Sequence, residues 1–154
     1  YYLLMLFTKL VTKPEISLRL KKSGFCGVSH FKWGENGTLY DLREEKENCI
    51  PCFLTDELLL CLPPAYKKDE TVFELYISFR SGHWLAGYRA NKVPECEKII
   101  PGHPEAVVRE CFGITFLGEE GLSLSDTLAE LIIFIKLKNF LSLISLITAH
   151  FKSE

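Results

Sequence analysis

Cys49 and Cys52 are the residues whose type and spacing come closest to a recognised chemical motif. They flank Ile50 and Pro51 in a Cys-x-x-Cys arrangement. Two thiols at this spacing can share a metal ion or cycle between dithiol and disulfide. A thioredoxin-type site needs a buried strand before the motif, whereas residues 44–48 are mostly charged. The sequence therefore favours two buried or disulfide-paired cysteines.

A zinc site would need two more ligands. Cys26 and His30 have Cys-x-x-x-His spacing, and with Cys49 and Cys52 they would make a set of four. The pattern around Cys26 and His30 predicts a strand, which would separate them by about 13 Å along the chain. That distance is too long for one ion unless the backbone there is irregular. The four residues therefore stay an alternative metal site, and the expectation is that the protein has no metal or other cofactor.

A thiol hydrolase is an alternative that uses the same cysteines. A cysteine at the start of a helix has a lowered pKa, because the helix amide end stabilises the thiolate. Cys49 or Cys52 precedes an apolar segment, and His83 opens a later strand between Gly82 and Trp84. In residues 48–53 and 82–88 the sequence resembles papain-like cysteine hydrolases. This resemblance implies Cys49 or Cys52 as the nucleophile and His83 as its base.

Aromatic side chains offer a second kind of site. Tyr76, on the outward side of one predicted strand, and the pair Trp84 and Tyr88 on the next strand form a candidate binding surface. If the C-terminal helix covers their face of the sheet, the same residues belong to the core instead.

The cysteine count leaves the compartment open. Six cysteines permit three disulfides, and Asn36-Gly37-Thr38 is a formal glycosylation sequon. A small secreted domain closed by disulfides is therefore another alternative. Residues 1–13 are interpreted as a fragment end or a signal-peptide remnant, or else as a first strand or short helix.

Length and charge exclude some classes of function. A chain of 154 residues with 47% hydrophobic and 25% charged residues is typical of one globular domain. The net charge of −2, with scattered basic residues, argues against a nucleic-acid partner.

The elements that must position these residues follow from periodicity. Alternating apolar and polar residues predict antiparallel strands joined as hairpins. The clearest pattern has Phe73, Leu75, Ile77 and Phe79 on one face, followed by the turn Ser81-Gly82. The predicted strands are 16–22, 25–33, 38–42, 71–80, 83–89 and 114–117, and the fold class is α+β.

Two helices complete the expected fold. Pro104 predicts the start of a short helix over 105–112, and a long apolar helix over about 126–150 is expected to pack on the sheet. Thr55 and Asp56 are alternative N-caps for a further short helix through Leu58, Leu59 and Leu62. The long helix has more apolar surface than one sheet needs, which indicates a protein or homo-oligomer partner. Its charged residues argue against a membrane span.

No motif names a reaction. The sequence therefore favours a non-enzymatic protein- or ligand-binding domain, with the hydrolase and the secreted disulfide domain as alternatives.

Overall fold

The structure is a computed structural model, and it describes residues 7–68, 70–90 and 112–137. Its helices and strands, in chain order, are α1 (Pro14–Lys22), β1 (Phe31–Trp33), β2 (Leu39–Asp41), β3 (Ile50–Cys52), α2 (Thr55–Leu59), β4 (Ala65–Lys68), β5 (Thr71–Arg80), β6 (His83–Ala90), β7 (Phe112–Leu117) and α3 (Leu124–Leu137).

The α+β fold class is confirmed, with two antiparallel sheets where the sequence predicted one. The first sheet has the order β2-β1-β3, and the second has the order β4-β5-β6-β7. Short loops favour such antiparallel neighbours along the chain. The strands β3 and β4 were not predicted.

The predicted strand 16–22 is wrong, because these residues lie in helix α1. Ile16 and Leu20, four residues apart, are both buried, while Leu18 is exposed, which is the spacing of a helix face. Pro14 occupies the first turn, where no backbone amide donor is needed. Basic residues occupy the last turn, as the helix dipole favours. The alternation of Ile16, Leu18 and Leu20 is typical of a strand, whereas the proline at the start and the basic residues at the end were signals of a helix.

The first hairpin is shorter than predicted. Of residues 25–33, only Phe31–Trp33 form a strand, and residues 25–29 have no helix or strand. The predicted strand 38–42 is confirmed as Leu39–Asp41. Residues 31–33 pair with both β2 and β3, so β1 is the central strand of this sheet.

The second hairpin is confirmed almost residue for residue. Strands β5 and β6 pair from Phe73 with Ala90 to Arg80 with His83. The turn residues Ser81 and Gly82 have φ angles of 52° and 78°. Two central residues with positive φ match the right-handed twist of the paired strands.

The C-terminal half is confirmed in part. The predicted strand 114–117 lies within β7, which begins at Phe112. The predicted helix 105–112 is therefore wrong at residue 112, and its residues 105–111 lie outside the described residues. The predicted helix 126–150 is described as α3 up to Leu137, and residues 138–150 lie outside the description.

The main core lies between the second sheet and the helices. α3 packs on β6 and β7. Its Leu128, Leu131 and Ile135 are fully buried, as are Leu20 of α1 and Leu58 of α2. Val11, Trp33, Leu39 and Cys52 form a second, smaller core at the first sheet.

The second sheet is strongly curled. The hydroxyl of Tyr66 in β4 accepts a 3.0 Å hydrogen bond from the backbone N–H of Ile114 in β7, although these strands are opposite edges of the sheet. In a flat sheet they would be three strand spacings apart, about 14 Å, which a tyrosine side chain cannot span. A Cβ atom at Gly113 would lie 1.9 Å from the Tyr66 hydroxyl, so only glycine allows this approach.

Candidate functional site

Cys52 is a core residue. It ends β3 and is fully buried beside Val11, Trp33 and Leu39. Burial, with a smaller contribution from the charge of Glu57, raises the pKa of the Cys52 thiol to about 12. A nucleophilic cysteine needs a lowered pKa, so the structure gives Cys52 the opposite of the property that the hydrolase interpretation expected.

His83 and Cys49 lie in different parts of the fold. His83 opens β6 in the second sheet, and its Nδ1 lies 2.9 Å from the carbonyl oxygen of Gly118. Cys49 immediately precedes β3 of the first sheet, where its thiol lies 3.4 Å from the carbonyl oxygen of Glu47. The ring of His83 is therefore held by a backbone carbonyl and not by a thiol.

The four residues considered for zinc do not form a cluster. Cys26 is exposed in the segment before β1, and Cys52 is buried. Across residues 7–68, 70–90 and 112–137, no three histidine, cysteine or acidic side chains are placed to hold a metal ion. The four cysteines in these ranges are free thiols: Cys26, Cys49, Cys52 and Cys61.

The structure instead pairs His30 with Glu57. One Glu57 oxygen, Oε1, accepts a 3.0 Å bond from the backbone N–H of His30 and is also bonded to its ring Nδ1. The other oxygen accepts a 2.8 Å bond from the N–H of Leu54. Hydrogen bonding to the carboxylate, and then its charge, raises the pKa of His30 above its ordinary value.

The His30–Glu57 pair fastens the segment before β1 to the start of α2. Glu57 is buried, whereas the His30 side chain is 72% exposed. A glutamate in the third position of a helix commonly bonds the N-cap amide, and this was the available sequence signal. Its histidine partner is 27 residues away, and no local pattern identifies such a pair. An exposed imidazole held this way can exchange a proton with solvent.

The predicted aromatic surface is divided by the sheet. Tyr88 is fully buried, and its hydroxyl donates a 2.9 Å bond to the carbonyl of Pro63. Tyr76 lies on the opposite face, where the Arg89 guanidinium is 5.3 Å from its ring centroid. The structure does not bring Trp84 and Tyr76 together, because alternate residues of a strand face opposite ways.

Apolar side chains are exposed at the turn end of the second sheet. Phe79 and Trp84 are paired across β5 and β6, with ring centroids 4.8 Å apart. Phe79 is 55% exposed, although it belongs to the core-facing side of β5, and Leu117 on β7 is 62% exposed. Leu117 pairs with Leu85 across the neighbouring strand. This sheet end therefore presents apolar groups on both faces.

The two edges of the second sheet differ in charge. β4 ends in Lys67 and Lys68, which are both exposed. β7 reads Phe-Gly-Ile-Thr-Phe-Leu and has no charged residue. Edge strands are commonly protected from pairing with other chains by lysine or proline. Only β4 has this protection within the described sheet.

No protein-family model, no curated protein and no solved structure matches this chain. The class that the structure defines is a small α+β fold with two antiparallel sheets. Among the helices of the described ranges, none is both long and apolar enough to cross a bilayer.

Proposed function

We propose that this protein is a non-enzymatic protein-binding domain that takes an extended segment of its partner as an added strand along β7. The observation that carries the proposal is the uncharged sequence of this edge strand. Strand addition is a common way for a sheet to bind a peptide, since main-chain hydrogen bonds supply affinity and side chains supply specificity.

The main-chain groups of β7 are oriented for such pairing. The N–H of Gly118 donates a 2.8 Å bond to the carbonyl of Trp84 in β6. Backbone groups alternate in direction along a strand, so Phe116 faces β6 as Gly118 does. The N–H groups of Thr115 and Leu117 consequently point away from β6, toward the position of an added strand.

The side chains beside this edge indicate an apolar partner segment. Leu117 and Leu85 form a cross-strand pair, and Leu117 is largely exposed. An added strand would place alternate side chains against Leu117 and Thr115 on this face. Apolar cross-strand pairs contribute about 0.2–1 kcal/mol each, so the preferred segment has apolar residues at every second position.

The test uses peptides displayed on phage and selected on the intact protein. Selected peptides should alternate apolar and polar residues. Thr115→Pro removes an outward N–H from β7 and should abolish their binding. Lys67→Pro is the matched control, because the bond from Leu75 N–H to the Pro64 carbonyl sets Lys67 as an outward position on β4.

Two results would contradict the proposal. Selected peptides that bind Thr115→Pro as well as the parent protein would show that β7 is not the binding edge. A dimer in sedimentation velocity that Thr115→Pro dissolves would assign the edge to a second copy of the chain. Circular dichroism of both proline variants verifies that each one is folded.

The expected partner contact through the C-terminal helix remains a prediction. Within α3, most apolar side chains are used by the protein's own core. Phe134 is 37% exposed and Leu137 is 74% exposed. The rest of the predicted helix lies outside the described residues.

A further inference from the structure

Two exposed thiols lie on segments that contact each other. Cys26 belongs to residues 25–29, which have no helix or strand, and Cys61 follows α2. A Cβ atom built on Gly27 would lie 3.3 Å from the sulfur of Cys61. The sulfur of Cys61 therefore rests against the residue next to Cys26.

A second contact fixes how the two segments run. The backbone N–H of His30 is bonded to Glu57, and Gly27 lies against Cys61. As the first segment advances from 27 to 30, the second goes back from 61 to 57, so the two run antiparallel. This direction places Cys26 at the end of the contact where Cys61 lies.

We propose that Cys26 and Cys61 form a dithiol site, and that a small-molecule disulfide such as oxidised glutathione converts it to an intramolecular disulfide. Neighbouring Cα atoms are about 3.8 Å apart, and a disulfide accepts Cα separations of about 4.4–6.8 Å. Cys26 is next to Gly27, which lies against the Cys61 sulfur. The thiol of Cys26 now lies 3.4 Å from the carbonyl oxygen of Gly24, and that of Cys61 lies 3.4 Å from the carbonyl oxygen of Glu57. Disulfide formation therefore requires both thiols to leave these carbonyls and the 25–29 segment to turn Cys26 toward Cys61.

The reaction proceeds in two balanced exchanges. The Cys26 thiolate attacks one sulfur of oxidised glutathione, which forms a Cys26–glutathione mixed disulfide and releases one glutathione thiolate. The Cys61 thiol then loses its proton and attacks the Cys26 sulfur, which forms the Cys26–Cys61 bond and releases the second glutathione. The two protein thiols are oxidised, and one glutathione disulfide is reduced to two thiols.

Cys61 is the better resolving thiol of the pair. Partial burial, and then the charge of Glu57, raises the pKa of Cys61 above its ordinary value, which disfavours it as the first nucleophile. Cys26 is exposed, and this gives oxidised glutathione access to its sulfur. The order of attack follows from these two differences.

The experiment treats the full chain with oxidised glutathione, blocks remaining thiols with N-ethylmaleimide, and maps peptides without reduction. We expect a linked peptide pair that joins Cys26 to Cys61, and a higher midpoint of thermal unfolding, because the bond restricts the unfolded chain. Cys26→Ser and Cys61→Ser should each abolish both effects. Cys49→Ser is the matched control and should retain them.

Other patterns of modification would overturn the proposal. Separate glutathione adducts on Cys26 and Cys61, under conditions that keep the protein folded, would show that the sulfurs do not meet. A link from either one to a different cysteine would do the same. An unfolding midpoint that rises equally in Cys26→Ser would attribute the stabilisation to another bond.

Discussion

Asp126 is a buried carboxylate in the first turn of α3, where burial disfavours its negative charge. It is fully buried. One oxygen accepts a 2.8 Å bond from the backbone N–H of Lys13, while the other has no hydrogen-bond partner among the described residues. Burial raises the pKa of Asp126, and the bond from Lys13 opposes that rise. A buried acceptor without a partner costs about 1–3 kcal/mol.

The raised pKa predicts a direction for stability against pH. The folded protein binds this proton more tightly than the unfolded chain, so the contribution of Asp126 to the free energy of unfolding grows as the pH falls from neutral. The contribution is complete below the ordinary pKa of an aspartate and is lost as the pH rises through the folded pKa. Asp126→Asn should remove it.

The measurement is the difference in unfolding free energy between Asp126→Asn and the parent protein, from urea titrations between pH 7 and pH 4. Relative to the parent, the variant should become progressively less stable as the pH falls. Asp56→Asn is the control, because Asp56 is an exposed residue in the first turn of α2. A difference for Asp126→Asn that does not vary with pH would refute the prediction.

At the scale of elements, the segment before α1 connects the two parts of the fold. Thr12 is fully buried, and its hydroxyl accepts a 3.1 Å bond from Phe53 N–H and lies 2.7 Å from the hydroxyl of Ser17. Its carbonyl accepts a 2.7 Å bond from the indole N–H of Trp33. One threonine thus joins β1, α1 and the chain between β3 and α2.

Thr12→Val should destabilise the protein by about 2–3 kcal/mol, because it leaves the N–H of Phe53 and the hydroxyl of Ser17 buried with one partner fewer. The free energy of unfolding in urea measures the loss. Thr71→Val is the control at a half-buried strand position, where a β-branched residue is retained, and its effect should stay within about 0.5 kcal/mol. Equal losses in both variants would count against a connecting role for Thr12.

The elements that the sequence predicted well are those with long local patterns. Strand β5 alternates over ten residues and ends in a two-residue turn, so its pairing needs no distant information. Strands β3 and β4 have three and four residues, which is too short for a period to emerge. The apolar residues of α1 alternate by chance, and the strand pattern therefore concealed a helix.

The candidate site residues were harder to predict than the strands. Cysteine and histidine types indicated chemistry at Cys52 and His83, but burial and partner choice are set by tertiary packing. The His30–Glu57 bond and the contact of Cys61 with Gly27 join residues that are far apart in sequence. Of these residues, only Glu57 had a local sequence signal, namely its position in the first turn of α2. Sequence alone therefore identified the reactive residue types and not their pairing.

At the scale of the whole molecule, the two sheets are connected through the helices and the segment before α1. The main core includes residues from α1, α2, α3 and the second sheet. The backbone N–H of Lys13 donates a hydrogen bond to Asp126 of α3. The preceding residue, Thr12, accepts a hydrogen bond from Trp33 of the first sheet. Arg19 of α1 forms a two-pronged ion pair with Glu130 of α3. These links predict that the sheets unfold together, in agreement with the single domain expected from the length of the chain.

The two tryptophans of the sequence allow this prediction to be tested, because Trp33 lies in the first sheet and Trp84 in the second. Trp84→Phe leaves Trp33 as the fluorescent reporter, and Trp33→Phe leaves Trp84. In each variant, the urea midpoint from fluorescence should equal the midpoint from far-ultraviolet circular dichroism, as two-state unfolding requires.

The Trp33→Phe variant provides the sharper comparison. It removes a buried 2.7 Å hydrogen bond to Thr12 and should lower stability by about 1–3 kcal/mol. If the sheets are coupled, the Trp84 signal of this variant must report that loss, although Trp84 lies in the other sheet. If fluorescence from Trp84 instead changes at a higher urea concentration than the circular dichroism signal, the first sheet unfolds by itself, and the links through Thr12 and Asp126 do not hold the protein together as one unit.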